Sequence, residues 1–135
     1  MSEKRTVRWI GDQTYLGTNK SGKAILMSDG NGPGVGPLET LLFGLSSCSM
    51  YDVVTILRKQ RQDLQEFHVE VDGERAEEGA RPYKNIQMHF VFKGALDEKK
   101  VARAIDLSTT KYCGAYATLS GVADITTSYE IRNDD

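Results

Sequence analysis

The amino-acid sequence predicts an α+β fold in which strands and helices segregate along one chain. Apolar residues recur at every second position over 64–94 and 123–131, the period of strands with one buried face. Residues 37–61 and 97–120 instead carry helical spacing, each behind a helix-start signal, Pro37 and Asp97. At 135 residues the chain fits a single domain, 1–135, long enough to bury a core without disulfides or metals.

The elements follow in order. Segments 5–10 and 13–17 flank Gly11-Asp12, a pair suited to closing a two-residue hairpin that sets Val7 against Leu16 and Trp9 against Thr14. Residues 23–27 give a third strand after the turn-like Asn19-Lys20-Ser21-Gly22, completing a small meander. The glycine-rich stretch 28–36 reads as a mobile loop. It lacks the glycine-lysine order of a phosphate cradle.

Pro37 is suited to the first position of a long helix, Glu39 places an acid in its first turn, and Arg58, Lys59 and Arg61 complement the dipole at its far end. Eleven of the seventeen residues over 41–57 are apolar, so the helix should be buried on most sides. A membrane span fits less well, because the run is short, rich in serine and carries Asp52. Over 64–94, a charged tip centred on Glu78 and Gly79 would pair Val69 with Met88 and Phe67 with Phe90, and place His68 opposite His89. Facing imidazoles can bind a metal, but solvated outer-face residues are the commoner case, and no third ligand is in sight. Asp97 caps a second helix whose buried side is Val101, Ala104, Ile105 and Ser108 and which ends near Tyr112. A short helix restarts at 115–120, placing Cys113 at a helix N-terminus, where free N–H groups lower a thiol pKa.

Charged residues make up 27% of the chain and the net charge is −2, a balance that points to neither nucleic acid nor an anionic membrane as partner. The start, Met1-Ser2-Glu3-Lys4-Arg5, is polar and has no apolar segment behind it, which fits a cytoplasmic protein. In a reducing compartment the two cysteines, Cys48 and Cys113, are either a transient redox pair or two inert buried thiols. Asp52, one turn after Cys48, would disfavour its thiolate unless a cation neutralises the carboxylate. A structural bond to a cation or to backbone is the expected role of Asp52. No metal site and no cofactor are expected.

Pro37-Leu38-Glu39 before an apolar helix, Leu45-Ser46-Ser47-Cys48 within it, Asp52-Val53-Val54-Thr55-Ile56-Leu57 after it and Lys111-Tyr112-Cys113 near the second helix end together resemble the OsmC/Ohr family, in its YhfA-like branch. The resemblance runs from about Arg5 to Ile131. It implies antiparallel sheets packed around a long buried central helix, in an intertwined homodimer with active sites at the subunit interface. It also implies a thiol-dependent peroxidase acting on organic hydroperoxides, with Cys48 as the attacking and Cys113 as the resolving thiol, and a dithiol or lipoyl carrier as reductant. Peroxidases of the family activate the attacking thiol with an arginine from the N-terminal sheet and a glutamate just after the helix-opening proline. Here Leu38 holds the glutamate position and Glu39 follows one residue late, about 100° further round a helix. No arginine lies between Thr14 and Met27; Lys20 and Lys23 are the cations available there. A lysine cannot reproduce the planar fork of arginine. These departures keep a second reading open, a non-catalytic redox sensor or binding protein for a small apolar ligand.

Overall fold

The computed structural model describes residues 3–133, so Met1 and Ser2 of the polar start lie outside it. The chain divides into two compact units, with the boundary in the sequence between Leu41 and Leu42.

The N-terminal unit is an antiparallel meander of β1 (Thr6–Trp9), β2 (Thr14–Thr18) and β3 (Ala24–Ser28), in spatial order β1-β2-β3. The hairpin between β1 and β2 is one residue longer than Gly11-Asp12 predicts. Ile10 N–H donates to Thr14 O and Thr14 N–H to Gly11 O, leaving Gly11, Asp12 and Gln13 as the loop. Gly11 (φ 113°) and Asp12 (φ 45°) both take positive φ, and the Trp9 indole N–H donates to Asp12 O at 2.6 Å. Trp9 therefore pairs with Tyr15 and Val7 with Gly17, which exchanges the residues of β2 that share a face with Trp9.

The stretch 28–36 is fastened by hydrogen bonds. Ser28, fully buried, donates through Oγ to Gly34 O at 3.1 Å and accepts from Gly34 N–H at 2.8 Å, while Met27 and Val35 form a parallel bridge. A Cβ at Gly34 would stand 2.7 Å from the Met27 carbonyl carbon, so glycine is required for this close approach.

Helix α1 (Thr40–Lys59) begins three residues after Pro37. Thr40 N–H and Leu41 N–H donate to Pro37 O and Leu38 O, so tight turns precede the helix. Glu39 thus stands before the first turn, where its carboxylate accepts Gly36 N–H at 2.7 Å. By length and composition α1 could cross a membrane. Here Leu45, Ser49, Val53 and Leu57, four residues apart, form its buried stripe, with Ser46 beside them. Burial on most sides is not what a single chain achieves, for Phe43 is 49% and Tyr51 75% exposed.

In the second unit the core of α1 residues meets the sheet β4-β5-β6, formed by β4 (Asp63–Arg75), β5 (Tyr83–Ala95) and β6 (Asp124–Arg132). Strands β4 and β5 are antiparallel, while β6 runs parallel to β5, reached through a helical crossover. Val69 pairs with Phe90 and Phe67 with Phe92, two residues away from the predicted register. The tip explains the shift. Ala76 N–H donates to Pro82 O, Gly79 and Arg81 take positive φ, and the ladder slips between Glu74 and Arg75. A two-residue shift preserves the faces, so Phe67, Phe90 and Phe92 still stack in the core, with the Phe67 and Phe92 ring centres 4.4 Å apart.

Helix α2 (Glu98–Leu107) is capped by Asp97, whose carboxylate accepts Lys99 N–H at 2.9 Å, and buries Val101, Ala104 and Ile105. The winding continues to Tyr112, but residues Ser108–Tyr112 form a wider π-turn. Helix α3 (Gly114–Leu119) follows at once, with Cys113 as its N-cap.

Candidate functional site

The second unit brings the two cysteines together. Cys48 projects half-buried from α1, and Cys113, 3% exposed, closes the π-turn as a neighbour of the Cys48 thiol. Helices α1 and α2 bury their apolar stripes in one core, and that shared packing carries the pairing across 65 residues of sequence (113 − 48).

The environment of Cys113 differs from the prediction. Burial pushes its thiol up to about 11 from an ordinary 9.0, and the adjacent Cys48 thiol pushes in the same direction. Backbone N–H groups at the start of α3 act the other way: Tyr116 N–H donates to Sγ at 3.3 Å, and Ala115 N–H contributes. The helix start does favour the thiolate, as predicted, but removal from water outweighs it. Cys113 therefore keeps its proton at neutral pH.

Beside the thiols lies a polar node that the sequence did not single out. Ser49 and Ser108, both fully buried, have hydroxyl oxygens 2.9 Å apart, and the Ser108 hydroxyl reaches Asp52 Oδ2 at 3.1 Å and Ser49 O at 3.3 Å. One hydroxyl has one proton. The charged carboxylate is the better acceptor, so Ser108 donates to Asp52 and Ser49 donates to Ser108. Asp52 is thus bound to a serine hydroxyl, not to the cation or backbone group expected of it. A signal was present, since Ser108 falls on the buried side of α2 and a buried hydroxyl needs a partner.

The supporting residues are distributed otherwise. Lys20 and Lys23 lie exposed at the β2–β3 turn of the N-terminal unit, where the Asn19 side chain accepts the N–H groups of Ser21 and Lys23. Glu39, in the same unit, is occupied by Gly36 N–H. The two histidines do not face each other. His68 pairs across the strands with Val91 and bonds Glu70 at 3.2 Å, whereas His89 bridges Ser128 Oγ at 2.7 Å and Glu130 Oε1 at 2.9 Å. Arg132, with His89 second, holds the Glu130 carboxyl down to about 2.

Residues 29–128 match the sequence model of the family described as OsmC-like protein. Protein YhfA of Escherichia coli K12 is 41% identical over 127 residues, spanning 93% of this chain and 95% of that protein. A hypothetical protein of Aquifex aeolicus, known from its crystal structure, superposes with a TM-score of 0.90 at 28% identity, covering 100% of this chain and 99% of the other. The organic hydroperoxide resistance protein OhrB of Bacillus subtilis shares the fold at a TM-score of 0.65 and 17% identity, over 96% of this chain and 98% of its own.

Proposed function

The chain belongs to the OsmC-like protein family, and from that premise we propose that it is a thiol-dependent peroxidase reducing organic hydroperoxides in oxidative-stress defence. The observation that carries the proposal is the convergence of Cys48 and Cys113, distant in sequence, into one thiol pair. In the reaction the Cys48 thiolate attacks the distal peroxide oxygen, the O–O bond breaks, and the alcohol leaves with a proton. Cys48 is now a sulfenic acid. Cys113 sulfur then attacks Cys48 sulfur, an S–S bond forms, and water departs with the sulfenic oxygen and the Cys113 proton. A dithiol or lipoyl carrier returns two electrons and two protons. The high pKa of Cys113 suits this division, because a thiol that stays protonated is the poorer first attacker.

The working form in this proposal is a cytoplasmic homodimer. Phe43 and Tyr51 on α1, and Val7, Trp9, Ile10 and Ile25 in the N-terminal unit, are exposed in the single chain and give a second copy apolar surface to cover. Sedimentation analysis tests it, with a monomer as the adverse result. Activity is tested by following cumene hydroperoxide consumption with dithiothreitol or a lipoyl carrier. Wild type turns over and Cys48→Ser does not; equal rates would refute the assignment. Leu38 and the lack of an arginine between Thr14 and Met27 favour one alternative, stoichiometric redox sensing or apolar-ligand binding. Oxidation of the pair without turnover would select it.

A further inference from the structure

The two thiols sit on different elements, and the serine node is the polar connection between those elements next to them. Ser49 adjoins Cys48 in sequence, and Asp52 lies one turn further along α1. Ser108 grips both through its hydroxyl, at 2.9 Å and 3.1 Å. Its carbonyl, in the same residue, accepts Cys113 N–H at 2.7 Å, the closing bond of the π-turn. One residue therefore holds α1 with its side chain and the Cys113 backbone with its main chain.

Two threonine hydroxyls bond back across the start of the π-turn, Thr109 Oγ1 to Ile105 O at 3.1 Å and Thr110 Oγ1 to Asp106 O at 2.7 Å. Wide turns of this kind are uncommon and occur often at functional sites. One residue in an α-helix is about 100° of rotation, so a turn closed over five residues and not four sets Cys113 at a different angle about the axis.

We propose that Ser108 and Asp52 are positioning residues, a polar clasp that fixes the π-turn against α1 so that Cys113 stays within bonding reach of Cys48. The clasp acts on thiol geometry and touches neither peroxide nor reductant. Its role rests on the thiol-pair reading above, but it is read out without peroxide. Preorganisation raises the effective concentration of one thiol at the other, and loosening the clasp lowers it.

The test equilibrates the full-length protein with reduced and oxidised glutathione. Oxidation of the two thiols to a disulfide consumes one glutathione disulfide and yields two glutathiones, so the equilibrium constant reports the effective concentration directly. Asp52→Ala, at a partly buried position, is expected to lower that constant at least tenfold, equivalent to a rise of about 30 mV in potential, with far-UV circular dichroism checking that the variant is folded. Asp52→Asn keeps an acceptor for the Ser108 hydroxyl and is expected to restore it to within about threefold of wild type, a rescue that a purely charge-based role would not give. Ser108→Ala should match Asp52→Ala. Unchanged constants in both alanine variants would overturn the clasp, and so would a loss that Asn fails to rescue. If the variants shift the constant while the wild type consumes no cumene hydroperoxide, the clasp stands and the peroxidase reading falls. Peroxide turnover with an unmoved constant has the opposite meaning.

Discussion

Alkylation of Cys113 as a function of pH measures how strongly burial controls this thiol. With its pKa at about 11, the thiolate fraction at pH 8 is about 0.1%, against roughly 9% for a thiol at 9.0, a ratio of about one hundred. Only the thiolate reacts, so native Cys113 should label about a hundredfold more slowly than the same residue in urea, before any cost of access is added. Limited access lowers the rate by the same factor at every pH, whereas the raised pKa moves the plateau. Iodoacetamide labelling of the native protein between pH 7 and 12, read by peptide mass spectrometry, separates the two effects. The logarithm of the Cys113 rate should climb with unit slope to near pH 11. A plateau below pH 9 would refute the argument that burial outweighs the α3 N-terminus. Stability follows the same sign. Above pH 9 the unfolded chain releases this proton while the folded chain retains it, so the contribution of Cys113 falls as pH rises from about 9 to about 11. Cys113→Ala should remove that decline.

Other perturbations test the frame around the site. Phe92→Ala empties a fully buried position stacked on Phe67 and should cost about 3–5 kcal/mol in urea unfolding; a loss under about 1 kcal/mol would mean the ring is not in the core. Gly94→Ala places a Cβ 1.9 Å from Asp63 O at φ +145°, so the variant should lose about 3 kcal/mol or more, or fail to fold, and a wild-type melting temperature would contradict this close approach of β4 to β5. Glu130, held at about 2 by Arg132 and His89, contributes stability that is complete above its ordinary 4.5 and is lost as pH falls through 2. Glu130→Gln should flatten that acid limb, and parallel curves for the two proteins would argue against the ion pairs.

Periodicity made the faces of the strands legible, because Phe67, Val69, Phe90 and Phe92 need only parity to reach the core. Register was not legible. It depends on the irregularity at Glu74/Arg75 and on the three-residue loop at Gly11, where positive φ at Asp12 and Arg81 carries no strong sequence signature. The Asp97 cap and the buried side of α2 were visible as local chemistry. The position of α1 was read three residues early, since Pro37 is as compatible with the tight turns before a helix as with its first residue. For the site, the cysteines themselves were conspicuous. Their meeting depends on tertiary packing of α1 and α2, and the Ser49–Ser108–Asp52 node depends on a π-turn that no spacing announces. The raised pKa of Cys113 belongs with these, because desolvation is a property of the folded core and not of the segment Lys111-Tyr112-Cys113.

The most direct test of the thiol-pair account is a single-turnover experiment with one equivalent of cumene hydroperoxide and no reductant, followed by intact-mass and peptide analysis. The account predicts one Cys48–Cys113 disulfide per chain, alcohol formed in equal amount, and in Cys113→Ser a sulfenic acid held on Cys48. Both thiols still reduced after the peroxide is added, or a disulfide joining only different chains, would contradict it.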